Sequence, residues 1–292
     1  MKITALIAVI IAAIIFGAVG FKIGYQEYLS RERAERIAVA MQQNTYVPQL
    51  HSTAPPTMPP TTQVPKPAEV LPPEEFIVFT AENTTGTPVG STTDSPNLEN
   101  SIFVGDSVSL GFARYCAQKG IMKNTTFLTA GSYAVHYALS TDVSENKGFN
   151  HPMYKGKETP LRQAVAEIRP DNIYFCLGIN DISGFGVEGT VKNYCKLINA
   201  VREINPDIHV YIVSTTFMVD DAQKTNLNNL NLANLNHNMK AICEKYDNLD
   251  YIDIMSALQS EKYALSGSYC SDGFIHQSKS AYVIWAEKLG AE

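Results

Sequence analysis

Four short polar segments of this sequence hold residues that could together carry out acyl transfer. Ser107 lies in "IFVGDSVSLG", Gly131 lies in "TAGSYA", Asn180 lies in "LGIND", and Asp272 and His276 lie in "SDGFIHQS". A serine hydroxyl becomes a nucleophile when a base takes its proton, and the base needs a third group to orient it. Histidine and aspartate are suited to these two tasks, so the segments offer a nucleophile, a base and an orienting acid.

Each of these residues also has a structural interpretation. Ser107 taken alone is more easily explained as the cap of a helix that follows a strand. Asn180 could cap a helix in the same way, and Gly131 and Gly178 could be ordinary turn glycines. A single histidine such as His276 is more often structural than catalytic. The choice depends on whether the fold brings these residues together.

The elements that must position them are short apolar runs separated by amphipathic helical patterns. Continuous apolar runs of this length indicate parallel strands buried on both faces. We therefore predict an α/β domain, a three-layer αβα sandwich with a five-stranded parallel sheet. The asparagine-rich segment 226–238 has low helix propensity, which predicts that its helix begins late. The five predicted strands are 101–105, 125–131, 172–178, 209–214 and 249–254.

In a parallel sheet the loops that follow the strands meet beyond the strands' carboxyl ends. Ser107 follows the first predicted strand, Gly131 closes the second, and Asn180 follows the third. Neighbouring strands lie about 4.8 Å apart, so these loops can surround one small substrate. Asp272 and His276 precede the last predicted helix and can complete the site. Their joint occurrence favours chemistry over the separate structural interpretations.

Other residues with chemical potential are assigned no role. His136 lies near enough to Gly131 to enter the site, but its position among Tyr133, Val135 and Tyr137 fits packing at least as well. No chemistry is assigned to this histidine, nor to His51, His151 and His237.

The cysteines show no metal-binding pattern. Five are scattered without paired ligand spacing, and no second ligand cluster accompanies Cys270, Asp272 and His276. We therefore predict no metal and no cofactor. An odd number cannot all be bridged within one chain, so at least one cysteine is free or pairs between chains.

The amino-terminal part differs in kind from the rest. Residues 3–21 form an uncharged and almost wholly apolar run that is long enough to cross a bilayer. Cleavable signals usually have an apolar region of about 7–15 residues, so we predict a retained transmembrane anchor within residues 1–24 and a lipid bilayer as its partner. Small residues at positions 17, 18 and 20 leave cleavage open.

Two further segments separate the anchor from the α/β domain. Residues 25–42 carry oppositely charged pairs at helical spacing, which predicts a short juxtamembrane helix. Residues 43–100 are rich in proline and threonine and form a predicted disordered linker that cannot bury a core. The α/β domain is expected to occupy residues 101–292.

Charge excludes one class of partner and leaves the membrane orientation open. The formal net charge is −6 with a pI near 5.6, and no basic patch is evident, so nucleic-acid binding is not expected.

Lys22 and nearby arginines outnumber Lys2, which by charge alone would keep the domain in the cytoplasm. A long tether suits a domain held away from the membrane and into a cell wall, so we expect an extracytoplasmic location.

The four polar segments resemble the blocks of the GDSL, or SGNH, hydrolase superfamily of serine esterases and acyl transferases. "VGDSVSLG" is similar to its first block, "TAGSYA" to the second, "LGIND" to the third and "SDGFIHQS" to the last. The resemblance implies a flavodoxin-like fold, Ser107 as nucleophile, His276 as base and Asp272 as acid. It also implies an oxyanion hole formed by the Ser107 and Gly131 amides and the Asn180 side chain.

One spacing departs from the family pattern. The family's acid usually lies three residues before its histidine, whereas Asp272 lies four before His276. In a helical turn both spacings share a face, but in a loop they need not. A serine–histidine dyad without the acid is therefore an open alternative.

These inferences lead to one expected function and two alternatives. We expect a membrane-tethered extracytoplasmic serine esterase that removes small acyl groups, in particular acetyl, from cell-wall or other carbohydrate. The alternatives are an acyl transferase acting on surface polysaccharide and a non-catalytic module that binds glycan or protein. The residues that would bind the substrate are not identified by the sequence.

Overall fold

The chain forms an α/β domain around a parallel sheet. The structure, a computed structural model, describes residues 70–72, 89–145 and 147–291. The strands are β1 (Ser101–Gly105), β2 (Thr125–Thr129), β3 (Met153–Tyr154), β4 (Lys157–Glu158), β5 (Asn172–Cys176), β6 (His209–Val213) and β7 (Leu249–Ile252). Five of them form a sheet in the order β2-β1-β5-β6-β7, with every pair parallel, while β3 and β4 form a small antiparallel hairpin. The predicted five-stranded parallel sheet is confirmed.

Helices flank the central sheet. Every residue of β1 and β5 is buried, which requires cover on both faces and accounts for their unbroken apolar sequences. One group of helices packs α1 against α7, and another packs α4 against α3 and α5. The helices are α1 (Ser107–Lys119), α2 (Val135–Ala138), α3 (Leu161–Ile168), α4 (Ile182–Arg202), α5 (Asn229–Cys243), α6 (Met255–Leu258) and α7 (Lys279–Lys288).

An aromatic cluster holds α1 and α7 against β1. The Phe112 ring lies 5.9 Å from Phe103 and 5.1 Å from Trp285, measured between centroids, and all three side chains are fully buried. Burying a large apolar side chain contributes about 1.5–3 kcal/mol. This packing sets the start of α1, where Ser107 lies, and the start of α7, which follows the His276 loop.

The asparagine-rich segment is helical from Asn229 onward, so its helix does not begin late. Tertiary hydrogen bonds offset the low propensity. Asn229 bonds both the amide and the carbonyl of Met218, and Asn236 does the same for Thr215. The asparagines therefore hold the loop that follows β6 in place.

Part of the predicted linker contacts the domain. We call residues 89–97 the N-terminal strap, of which residues 90–92 run beside the edge strand β7. The Thr92 amide donates to the Tyr251 carbonyl at 2.9 Å, the Tyr251 amide donates to the Thr92 hydroxyl at 2.8 Å, and Val89 is buried. Residues 89–97 therefore do not fit the prediction of a disordered linker at 43–100. They dock because β7 is an edge strand, and the strap forms hydrogen bonds with backbone groups of β7 that would otherwise be unpaired.

A second contact of that segment involves Leu71. Its side chain is fully buried, and its amide and carbonyl both bond the Asn199 side chain on α4 at 3.0 Å. The predicted anchor within 1–24 and the predicted juxtamembrane helix at 25–42 lie outside the described residues. Within the described residues, no helix combines the length and apolar character needed to cross a bilayer.

Candidate active site

The turn between β1 and α1 presents Ser107 at the start of a helix. Asp106, not Ser107, is the N-cap: its side chain accepts the Val108 amide at 2.9 Å. The interpretation of Ser107 as a helix cap is therefore wrong, because the preceding carboxyl group satisfies that amide. Gly105 permits this tight turn, since a Cβ there would overlap the Ser109 side chain. The Ser107 hydroxyl is left available for a partner outside the helix.

That partner is His276. The Ser107 Oγ lies 3.0 Å from the His276 Nε2, and the His276 Nδ1 lies 2.5 Å from the Asp272 Oδ2. An ionised carboxyl group only accepts hydrogen bonds, so Nδ1 carries the ring proton and Nε2 can accept the serine hydroxyl. About a third of each of these two side chains is exposed, at 34% for His276 and 33% for Asp272. An arrangement of this kind can remove the serine proton.

A tight turn explains how a four-residue step still pairs Asp272 with His276. The Asp272 Oδ1 accepts the amides of Phe274, Ile275 and His276 at 2.8–3.1 Å. Three backbone bonds to one oxygen wrap the chain around the carboxyl group and leave the Oδ2 for the imidazole. Burial raises the pKa of Asp272, but its hydrogen bonds from His276, Phe274 and Cys270 and the charge of His276 outweigh burial, so the pKa lies below its usual range.

The loop after β5 brings Asn180 to the same place. The Asn180 Nδ2 lies 3.3 Å from the Asp106 Oδ2 and 3.1 Å from the Tyr133 carbonyl, and it donates to both. Gly178 turns the chain here with a φ of 112°, where a Cβ would also collide with the Leu235 side chain. Asn180 is thereby held beside the residue that precedes Ser107.

Gly131 lies beside the end of β1. It follows Ala130, whose amide donates to the Gly105 carbonyl at 3.1 Å. All five residues predicted for the site therefore lie at the carboxyl edge of β2, β1 and β5. Ser107, His276 and Asp272 are in direct contact, whereas Asn180 and Gly131 are connected to Ser107 through its neighbours. Their catalytic roles stay predictions.

Asp106 is a site residue whose importance the sequence did not reveal. Burial raises the pKa of its carboxyl group to about 6, although hydrogen bonds from the Val108 and Ser109 amides and the charge of His276 act to lower it. The side chain is 3% exposed. The acid between Gly105 and Ser107 was visible in the sequence, but its burial and its bond to Asn180 depend on tertiary contacts.

Asp181 and His136 form a second pair that the sequence did not predict. The His136 Nδ1 lies 2.7 Å from the Asp181 Oδ1, and the fully buried Asp181 also accepts the Val135 and His136 amides. The available signal was position, because these residues follow β2 and β5 at the same edge. His151, also assigned no chemistry, is buried and contacts Tyr133 and the Asp142 carbonyl.

The remaining features of the site region are its potential for metal binding and its cysteines. The described residues contain no group of three or more histidine, cysteine, aspartate or glutamate side chains that could hold a metal ion. None of the five cysteines forms a disulfide; four are buried, and Cys270 is half-buried with its thiol 3.5 Å from the Asp272 Oδ1.

The sheet order and the cluster at its carboxyl edge define the class of protein. The order β2-β1-β5-β6-β7 is the flavodoxin-like order, and Ser107 lies where the order reverses, between β1 and β5. Residues 103–284 match the GDSL-like lipase/acylhydrolase family. The chain belongs to this family and is a carboxylic ester hydrolase of the GDSL type.

The chain is similar to several solved structures at low sequence identity. A proposed acylhydrolase from Bacteroides fragilis is 16% identical, with a TM-score of 0.51 over 67% of this chain and 86% of its own. A GDSL-like lipase from Bacteroides thetaiotaomicron is 15% identical, with a TM-score of 0.49 over 66% and 85%. The C-terminal catalytic domain of peptidoglycan O-acetyltransferase A from Streptococcus pneumoniae is 11% identical, with a TM-score of 0.42 over 66% and 90%. A comparison with curated proteins gives no match.

Proposed function

We propose that the protein is a membrane-tethered, extracytoplasmic serine esterase that removes small acyl groups, such as acetyl, from cell-wall or other carbohydrate. The observation that carries the proposed chemistry is the continuous contact from the Ser107 Oγ to the His276 Nε2, at 3.0 Å, and from the His276 Nδ1 to the Asp272 Oδ2, at 2.5 Å. These distances are within hydrogen-bond range.

In the proposed mechanism, His276 takes the Ser107 proton at Nε2 while the serine oxygen attacks the ester carbonyl carbon. Asp272 holds the proton on Nδ1 and stabilises the positive imidazolium that forms. The tetrahedral intermediate collapses as His276 returns the proton to the departing alcohol oxygen. Water then attacks the acyl-serine with His276 again as base, which releases the acid and restores Ser107.

The negative oxygen of the intermediate would be held by the amides of Ser107 and Gly131 and by the Asn180 Nδ2. Support for the Asn180 role comes from its bonds to Asp106 and Tyr133, which fix its side chain before substrate binds. Preorganised donors cost no rearrangement during the reaction, and each contributes about 3–4 kcal/mol to transition-state stabilisation.

The substrate and location rest on the amino-terminal sequence. An apolar run at residues 3–21 that can span a bilayer, followed by a proline- and threonine-rich segment, suits a domain that acts at a distance from the membrane. Carbohydrate of the cell surface is the polymer within reach of such a tether. Protease accessibility of the domain on intact cells tests the location: digestion only after cell lysis would contradict an extracytoplasmic domain.

The chemistry is tested by p-nitrophenyl acetate hydrolysis and by labelling with a fluorophosphonate probe. We expect the wild-type protein to hydrolyse the ester and to be labelled at Ser107. Ser107→Ala and His276→Ala should each lose at least about 10³-fold in kcat. His209→Gln is a matched control, because His209 also pairs with an aspartate, Asp250, at 2.8 Å, but lies at the start of β6.

The outcomes separate the alternatives. Equal activity in the wild-type and the two site variants would contradict the esterase. Failure of the probe to label Ser107 in folded protein, together with measurable glycan binding, would favour the non-catalytic module. Product that forms only when a carbohydrate acceptor is added, with little hydrolysis, would favour the acyl transferase.

A further inference from the structure

The pair formed by His136 and Asp181 has the same chemistry as the pair formed by His276 and Asp272. The Asp181 carboxyl group accepts the Val135 amide at 2.8 Å, the His136 amide at 3.1 Å and the His136 Nδ1 at 2.7 Å. Since the carboxyl group accepts at Nδ1, the ring proton is on that nitrogen and the Nε2 is an acceptor. The orientation of the ring is thus set by a buried acid.

The His136 Nε2 is available to a ligand. The side chain is 28% exposed, and the Nε2 has no hydrogen-bond partner among the described residues. His276 has an Nε2 in contact with Ser107, whereas His136 has none. A purely structural role for His136 explains the bond at its Nδ1. It gives no role to the Nε2.

An exposed aromatic ring lies next to His136. Phe185 is 48% exposed, and its ring centroid lies 4.8 Å from that of His136. It lies in the first turn of α4, before the kink at Gly186, whose φ of 63° departs from helical geometry. Phe185 is not part of the hydrophobic core of the described residues, so its exposed ring face is accessible to the apolar face of a ligand.

This pair of side chains lies at the same edge of the sheet as the proposed nucleophile. Asp181 follows Asn180, whose side chain bonds both Asp106 and the Tyr133 carbonyl. The contact between His136 and Asp181 connects the loop after β2 to the loop after β5, and β1, which ends next to Ser107, lies between those strands. β2 and β5 are two strand spacings of about 4.8 Å apart, or roughly 10 Å, and this contact joins their following loops across the end of β1.

We propose that His136 and Phe185 form a subsite for the sugar ring of an acylated carbohydrate, with the ring's apolar face on Phe185 and a ring hydroxyl donating to the His136 Nε2. This inference rests on the proposed function and extends it to the alcohol side of the ester. A sugar ring presents C–H groups on its faces and hydroxyls at its edge, so it matches an aromatic face beside a single acceptor. Asp181 is a positioning residue for His136.

The test compares two acetate esters that share one acyl group and differ in the alcohol. One is a methyl glucoside with a single O-acetyl group, and the other is ethyl acetate, which has no ring. Phe185→Ala and His136→Gln should each lower kcat/KM for the glucoside about tenfold, mostly through KM, and change it less than about twofold for ethyl acetate. Tyr263→Ala is the matched control, because Tyr263 is similarly exposed at 42% but follows β7, across the sheet from β2.

Two kinetic results overturn the subsite. Equal losses for both esters would assign the residues a structural role, and an unchanged value for the glucoside would show that no sugar is bound there. If the wild-type hydrolyses neither ester in a Ser107-dependent manner, the proposed function fails. Saturation-transfer NMR with the glucoside and the Ser107→Ala protein then tests separately whether the subsite binds the sugar. Adding Phe185→Ala to that protein should weaken the transferred signal, and an unchanged signal would refute the subsite.

Discussion

The buried carboxyl group of Asp106 makes the stability of this protein depend on pH in an unusual direction. Burial raises the pKa of Asp106 from 3.8 to about 6. Between these values the folded chain binds a proton that the unfolded chain has lost, so the free energy of unfolding falls as pH rises. The decrease begins near pH 4 and is complete above pH 6.

Asp106→Asn removes this titration. One pKa unit corresponds to 1.36 kcal/mol, so a shift of about two units corresponds to roughly 3 kcal/mol. The asparagine side chain of the variant can still cap α1, but its amide donor faces the donor Nδ2 of Asn180. This unfavourable contact lowers the stability of the variant by an amount that does not vary with pH. The informative quantity is therefore the difference in unfolding free energy, variant minus wild type, which we expect to increase by about 3 kcal/mol from pH 4 to pH 7.

Urea unfolding of both proteins at several values between pH 4 and pH 7 measures this difference. Asp142→Asn is the control: hydrogen bonds from Ser144 lower the pKa of Asp142, so its stabilisation is lost only as pH falls below about 3.8, and its difference from wild type should stay nearly constant from pH 4 to pH 7. A difference for Asp106→Asn that stays constant across the range would refute the reasoning, because it would show that folding does not raise the pKa of Asp106.

Three further predictions concern the site and the amino-terminal contacts. Asn180→Ala should lower kcat about 10²–10³-fold in steady-state kinetics, and an unchanged kcat would exclude an oxyanion role. Asp272→Asn should lower kcat about 10⁴-fold, whereas a loss below about tenfold would favour the serine–histidine dyad. Leu71→Ala should lower the free energy of unfolding by about 2–3 kcal/mol in urea titrations. Val70→Ala, at a position 71% exposed, is the control, and equal effects would show that Leu71 does not pack on the domain.

The sheet and the location of the site were predictable because both depend on local patterns. Buried strands have continuous apolar sequences, and parallel connections place the following loops at one edge. Ser107, Gly131 and Asn180 follow three strands that the structure makes neighbours. Helix propensity was less reliable: the asparagine-rich segment is helical because its side chains bond the loop after β6.

The details of the site depend on contacts between distant segments. The four-residue step from Asp272 to His276 was ambiguous in sequence, and a turn wrapped around the Asp272 Oδ1 resolves its geometry. Propensity could not choose between Asp106 and Ser107 as the cap, because both residue types cap helices. Their different environments decide it: Asp106 is enclosed by the core, while the Ser107 hydroxyl meets His276.

The sequence by itself determined the order of the elements, the edge at which polar residues gather and the residue types available for acyl transfer. Periodicity and chain order are enough for these features, since each is set by neighbours along the chain. Only the tertiary structure decided the pairing of His136 with Asp181, the raised pKa of Asp106 and the docking of the N-terminal strap on β7. Burial and long-range hydrogen bonds create these features, and they exist only when distant segments pack together.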